Sequence, residues 1–181
     1  MQAIRQSIPD VVLIEPKVFG DSRGFFYESF NGKAFREATG VQDAFVQDNH
    51  SRSSQGVLRG LHYQLPPRAQ GKLVRVVRGA VFDVAVDIRK DSQTFGQWVG
   101  ALLTEDNHRQ LWVPPGLAHG FLVLSESADF LYKTTDYYSP EHERCIRWDD
   151  PRLAIAWPTL DVQIQLSAKD QSGRLLAEAD L

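Results

Sequence analysis

Cysteine is almost absent from this chain of 181 residues: Cys145 is the only one, so no internal disulfide can form. That fits a reducing compartment. Long apolar runs are missing too. No stretch approaches the ~18 apolar residues that suggest a membrane span. The first ten residues carry Arg5 and Asp10 and no apolar segment, so no signal peptide is expected and a cytoplasmic protein is. A basic excess is also lacking. Lys and Arg number 20 against 23 Asp and Glu, for a net charge of -3, which excludes a general nucleic-acid binder. An anionic ligand stays possible, because local Arg and Lys decide that. Repeats, low-complexity tracts and linker-like stretches are absent, so one domain over 1–181 is expected.

What the chain does contain is short apolar segments separated by Gly and Pro turns. Such alternation signals strands. Candidates are Val11–Ile14, Phe25–Tyr27, Val57–Gln64, Leu73–Arg78, Val81–Ile88, Trp98–Leu103, Leu111–Val113, Phe121–Leu124 and Phe130–Thr134. Val81–Ile88 is the clearest: Phe82, Val84, Val86 and Ile88 share one face, Asp83, Ala85 and Asp87 the other. Helix signals are few. Lys33–Thr39 precedes Gly40, a good helix stop, and the tail after Ser167 suggests a second helix containing Leu175, Leu176 and Ala177. Many strands and few helices predict an all-β sandwich or barrel, specifically a jelly roll.

Residues able to do acid/base chemistry are scattered. His62 lies in the strand Arg59-Gly60-Leu61-His62-Tyr63-Gln64, where alternation sets Arg59, Leu61 and Tyr63 on one face and Gly60 and His62 on the other. Gly60 would leave room for a ligand beside His62. The imidazole is either a buried, hydrogen-bonded core group or a general base. His119 follows the rigid turn Pro114-Pro115-Gly116, a pattern like the second metal-binding motif of the cupins. The matching first motif reads His62-Tyr63-Gln64, without a second imidazole or a His/carboxylate cluster, so no metal is expected. Lys72 opens a strand, where a lysine is usually just solvated. Tyr132 shares a face with Phe130, and a half-buried tyrosine is normally core. Asp170, three residues after Ser167, fits a helix-capping box. Tyr137-Tyr138 is either a turn or a stacking platform.

Taken in order, longer motifs carry a resemblance. These are Phe19-Gly20-Asp21-Ser22-Arg23-Gly24-Phe25-Phe26-Tyr27-Glu28-Ser29, Phe45-Val46-Gln47-Asp48-Asn49-His50-Ser51, Val57-Leu58-Arg59-Gly60-Leu61-His62, Gln70-Gly71-Lys72-Leu73-Val74-Arg75, Gly116-Leu117-Ala118-His119-Gly120-Phe121, Leu131-Tyr132-Lys133 and Leu166-Ser167-Ala168-Lys169-Asp170. The chain resembles the dTDP-4-dehydrorhamnose 3,5-epimerases from about Ile8 to Asp170. The resemblance implies a cupin-like jelly roll, a homodimer and no cofactor. It implies a dTDP-sugar substrate, dTDP-4-dehydro-6-deoxy-D-glucose, inverted at C3 and C5 on either side of the C4 ketone. By the same resemblance, His62 is the base, Asp170 orients it, Lys72 stabilises the enolate and Tyr132 delivers a proton from the other side. Arg23, Arg59 and Lys169 would engage the anionic substrate and Tyr138 would stack on thymine. Glu28, Gln47, Asn49, His119 and Glu143 match polar substrate contacts. Asp48 is expected to point away, and Arg23 and Glu28 to reach the partner subunit's site. Rival readings are a single-carbon epimerase or ketoisomerase on the same fold, a non-catalytic sugar-nucleotide binding module, and a metal-dependent cupin oxygenase.

Overall fold

The computed structural model describes residues 1–181. Thirteen strands form in chain order: β1 (Gln2–Arg5), β2 (Val12–Glu15), β3 (Phe19–Asp21), β4 (Gly24–Phe26), β5 (Gln47–Ser54), β6 (Leu58–Gln64), β7 (Lys72–Arg78), β8 (Ala80–Asp87), β9 (Trp98–Thr104), β10 (Gln110–Val113), β11 (Leu117–Val123), β12 (Ser127–Thr134) and β13 (Glu143–Cys145). Helices are short: α1 (Gly32–Thr39) and α2 (Ala168–Gln171). Every expected strand site carries a strand. One sheet runs β1-β2-β10-β7-β12-β5 and the other β13-β6-β11-β8-β9, with β3 and β4 as a separate hairpin. All strand pairings are antiparallel and most neighbours are distant in sequence, which gives the cupin-like jelly roll.

Three apolar layers hold the sandwich together. Between the sheets lie Val74, Val76, Leu111 and Phe130 from the first, against Val81, Ala85, Leu103, Phe121 and Val123 from the second. Behind the second sheet, Val84, Val86 and Ile88 pack against Ile146, Leu153 and Leu176 of the C-terminal segment. Behind the first, Val12, Ile14, Leu73 and Trp112 receive Phe35 of α1. Burying each such side chain contributes about 1.5–3 kcal/mol, so both outer covers are integral to the fold. The alternation of β8 thus has an unexpected sense. Its more apolar face is turned outward under the C-terminal cover, while the face carrying Asp83 and Asp87 looks between the sheets.

The helices follow their caps. Asn31 accepts the backbone N–H of Ala34 at the start of α1, and Gly40, with φ of 81°, closes it. The tail differs from expectation. α2 stops at Gln171, and Leu175–Ala177 lie outside it. Leu176 begins a separate 3-10 turn, Leu176–Glu178. The reason is a return to the sheet: Arg174 bridges Ile146, and Gly173 sits so close to Ile146 and Arg147 that a side chain there would meet their backbone at about 3 Å.

Candidate active site

One cleft of about 420 Å³ opens between the two sheets. The first sheet contributes Gln47 and Asn49 from β5, Lys72 at the start of β7, and Tyr132 from β12. The second contributes Arg59 and His62 from β6 and His119 from β11. Tyr138, Glu143 and Lys169 complete the rim. His62 and Tyr132 therefore stand on opposite sheets with the cleft between them.

A backbone irregularity sets up β6. His119 pairs with His62, and Phe121 with Arg59, so two residues on β6, Gly60 and Leu61, face one on β11, Gly120. This bulge reverses the alternation. Arg59 and His62, expected on opposite faces, both line the cleft, while Leu61 and Tyr63 enter the outer core. Gly60 has φ of 122°, and a Cβ there would lie 2.6 Å from the Gly120 Cα. The missing side chain makes room for strand β11 and not for a ligand, which corrects the expectation.

Asp170 lies behind His62 and does not line the cleft. His62 Nε2 and Asp170 Oδ1 are 2.7 Å apart. The Gly60 N–H donates to the same oxygen at 3.0 Å. The other oxygen, Oδ2, accepts from Ser167 Oγ at 2.6 Å. Asp170 also completes the capping box of α2. One carboxylate oxygen thus meets the imidazole and the other the cap. Burial alone would raise the Asp170 carboxyl, but the hydrogen bonds from His62, Ser167 and Gly60 outweigh it and hold the group well below the usual range. With Nε2 committed, Nδ1 is the nitrogen left for the cleft. Burial pushes the His62 imidazole below its ordinary value against the pull of Asp170, and Lys169 and Lys72 push the same way as burial.

The remaining groups are electrostatically tied. Lys72 Nζ donates to the His62 carbonyl at 3.4 Å. Burial brings its ammonium down to about 8, opposed by Glu143 and Asp83. Burial, with Glu143, raises the Tyr132 phenol. Glu143 accepts from Lys169 at 2.7 Å and from Tyr138 at 2.8 Å. Gln47 accepts the Tyr138 N–H at 3.1 Å and donates to Asn49 at 3.0 Å. Asp48 points away from the cleft and takes Lys133 at 2.8 Å. His119 is buried, its Nε2 lying 3.0 Å from Asp83 Oδ2.

Two expected residues lie elsewhere. Arg23, at the tip of the β3–β4 hairpin, pairs with Asp21, and Glu28 accepts from Asn31 at 3.1 Å. Conversely, His50, Ser51, Gln70, Phe121 and Phe130 line the cleft without having been singled out. Phe121 and Phe130 stack at 4.1 Å between ring centroids, one from each sheet, as an apolar wall. Their apolar patterning reads as core, and core is half of what they are. The segment around His62 holds no second ligand, but the fold brings Cys145 and Asp170 beside it.

The comparisons with known proteins agree with this architecture. The family model described as dTDP-4-dehydrorhamnose 3,5-epimerase matches residues 5–178. A relative of that name from Pseudomonas aeruginosa is 63% identical over 99% of this chain and 98% of its own. The crystal structure of a dTDP-6-deoxy-D-glucose-3,5-epimerase from Legionella pneumophila, in complex with dTDP-4-keto-L-rhamnose, superposes with a TM-score of 0.96 at 58% identity, covering 99% of this chain and 94% of that one. A 3'-monoepimerase from Streptomyces bikiniensis, in complex with dTDP-quinovose, superposes with a TM-score of 0.90 at 36% identity, covering 98% and 88%. Fold and relatives together define a carbohydrate epimerase built on a cupin-like jelly roll. More narrowly, the chain belongs to the dTDP-4-dehydrorhamnose 3,5-epimerase family.

Proposed function

We propose that this protein inverts C3 and C5 of dTDP-4-dehydro-6-deoxy-D-glucose, giving dTDP-4-dehydro-L-rhamnose. The observation that carries the mechanism is the placement of an Asp-tethered imidazole and a phenol on facing sheets of one cleft. Both carbons lie beside the C4 ketone, so loss of either proton gives an enolate. His62 Nδ1 takes the proton. Asp170 holds the tautomer through Nε2 and balances the imidazolium that forms, as the carboxylate does in a Ser-His-Asp triad. Lys72 places its ammonium at the ketone oxygen, where negative charge develops. Tyr132 supplies a proton from the opposite wall. A single group returning its proton to the same face would only exchange it with solvent, so inversion requires two walls, and the sandwich provides them.

The rim positions the nucleotide. Arg59 and Lys169 meet the diphosphate, Arg59 as a planar fork suited to phosphate oxygens. Tyr138 stacks on thymine, and Gln47, Asn49, His119 and Glu143 bond polar groups of the substrate. Arg23 and Glu28 serve the site of a second subunit, so the working form is a homodimer. Support comes from the hairpin that carries Arg23. Phe19, Phe25 and Phe26 are 54%, 64% and 68% exposed there, an apolar display that a second copy would cover. The working unit is one jelly-roll domain, acting in the cytoplasm without nucleic acid or membrane as partner; no helix is long and apolar enough to cross a membrane.

The test is solvent exchange. The protein is incubated in D2O with dTDP-4-dehydro-6-deoxy-D-glucose, and deuterium is followed at C3 and C5 by NMR. Deuterium at both carbons, with an L-sugar trapped by reduction, is the expected result. Deuterium at C3 alone would mean a single-carbon epimerase, and none at either would remove the proposal.

A further inference from the structure

Behind the cleft, on the far side of the His62 ring, the fold gathers three side chains of different chemistry. Cys145 sits directly opposite His62 in the β13–β6 register. Asp170 arrives from α2. One ligand atom from each, the imidazole nitrogen, the sulfur and a carboxylate oxygen, lie within 4.8 Å of one another. Tetrahedral zinc, with bonds of ~2.0 Å to nitrogen and ~2.3 Å to sulfur, holds its ligands roughly 3.3–3.8 Å apart. The set is thus within about an ångström of coordinating geometry.

We propose that His62, Cys145 and Asp170 form a binding site for one thiophilic divalent cation, of the zinc or cadmium type, whose occupancy withdraws His62 from proton transfer. A nitrogen, a sulfur and an oxygen suit that class of ion. Access is provided. A second cleft of about 200 Å³, which adjoins the first at Glu143 and Lys169, reaches Cys145 and gives an ion and its water a path to the sulfur. Its rim holds three cations against two carboxylates: Glu143 pairs with Lys169, and Asp180 is shared by Arg144 at 3.1 Å and Arg174 at 3.7 Å.

The inhibitory step follows from the tautomer. Without metal, His62 carries its proton on Nε2, facing Asp170, and Nδ1 is the free base. The cation takes the Nε2 lone pair, the ring proton moves to Nδ1, and the Cys145 proton leaves to solvent. The imidazole stays neutral, but the nitrogen facing substrate now holds a hydrogen and cannot accept one. Burial keeps Cys145 a protonated thiol, at about 12, until a metal displaces the proton. The inhibition rests on His62 being the base; the binding does not.

The experiment titrates purified protein with cadmium chloride while recording ultraviolet absorption and epimerase turnover. A thiolate-to-cadmium charge-transfer band that saturates at one equivalent is expected, with turnover falling in step and returning on addition of chelator. Cys145→Ser should lack the band and ignore cadmium over the same range. His62→Asn keeps the sulfur, so it tests the site even where the serine variant fails to fold; its cadmium affinity should fall about tenfold or more. Absence of the band, equal inhibition of Cys145→Ser, or undiminished affinity in His62→Asn would overturn the site. A full band in a protein that still turns over substrate would leave the site standing and remove His62 from the base's role.

Discussion

Two histidine–aspartate pairs stand side by side in this molecule. His62 and His119 are cross-strand neighbours, and each has a carboxylate at hydrogen-bonding distance from Nε2. Their surroundings differ. The His62 side chain is 21% exposed and that of His119 8%. Asp83 is carried by the strand next to His119, so sheet register alone places it. Asp170 is carried by a helix cap on the C-terminal cover and is held by Ser167 and the Gly60 N–H as well. The same pair of residue types therefore stands in two settings: one imidazole is tethered from outside the sheet by a helix cap, the other by the neighbouring strand within it.

The largest effect expected is on His62. Replacing it by alanine should lower kcat by about 10³–10⁴, near the upper range for a general base, with nucleotide binding largely kept. Calorimetry with dTDP checks the second half; equal loss of binding would mean that His62 holds substrate and another base acts. Lys72→Met should raise the barrier by about 3–4 kcal/mol, as for loss of one oxyanion donor. Asp170→Asn against Asp83→Asn sharpens the comparison directly. The first should cost roughly 100-fold in kcat, while the second should fall mainly on KM and by about tenfold or less. Equal costs in kcat would erase the distinction drawn here.

The pH profile of kcat/KM tests the same contrast more gently. The base must be unprotonated, and burial lowers the His62 pKa, so the acid limb should fall below the ordinary imidazole value of about 6.5. Lys72 must be protonated, so activity should decline as pH passes about 8. Lys72→Arg should move that basic limb upward, because a guanidinium does not lose its proton there.

The smallest expected effect on turnover is at Asp87, outside the cleft, where Arg89, Ser92 and Thr94 all donate to one buried carboxylate. Burial alone would raise it, but these donors hold it well below the carboxylate range. A depressed carboxylate stabilises the fold above its unfolded pKa, near 3.8, and that stability is lost as pH falls further. Asp87→Asn should destabilise by about 2–4 kcal/mol at neutral pH with kcat little changed, measured by denaturant unfolding.

The contrast between the pairs also marks what sequence patterning reveals. β8 is legible because a strand with one covered face alternates, although which face is covered is not. β5 is hidden: Gln47–Ser54 has no apolar residue, since one side meets a wet cleft and the strand sits at the sheet edge. The common orientation of Arg59 and His62 is equally hidden, because a bulge is a property of two strands and not of one. Long motifs resembling the family single out Asp170, whereas local chemistry shows only a cap; the structure has the cap and a hydrogen bond to His62, and nothing in 167–170 alone reveals the second. Cys145 beside His62 was missed because the two are far apart in the chain and meet only through the β13–β6 register.

Protein synthesis runs from the N-terminus, and every strand of both sheets precedes Ile146. The carboxylate that tethers His62 comes more than twenty residues later, on the segment that seals the outer face of its sheet. The carboxylate partner of His62 is therefore made after all the strands, on the segment that also covers their sheet, so whatever loosens that tail loosens both at once.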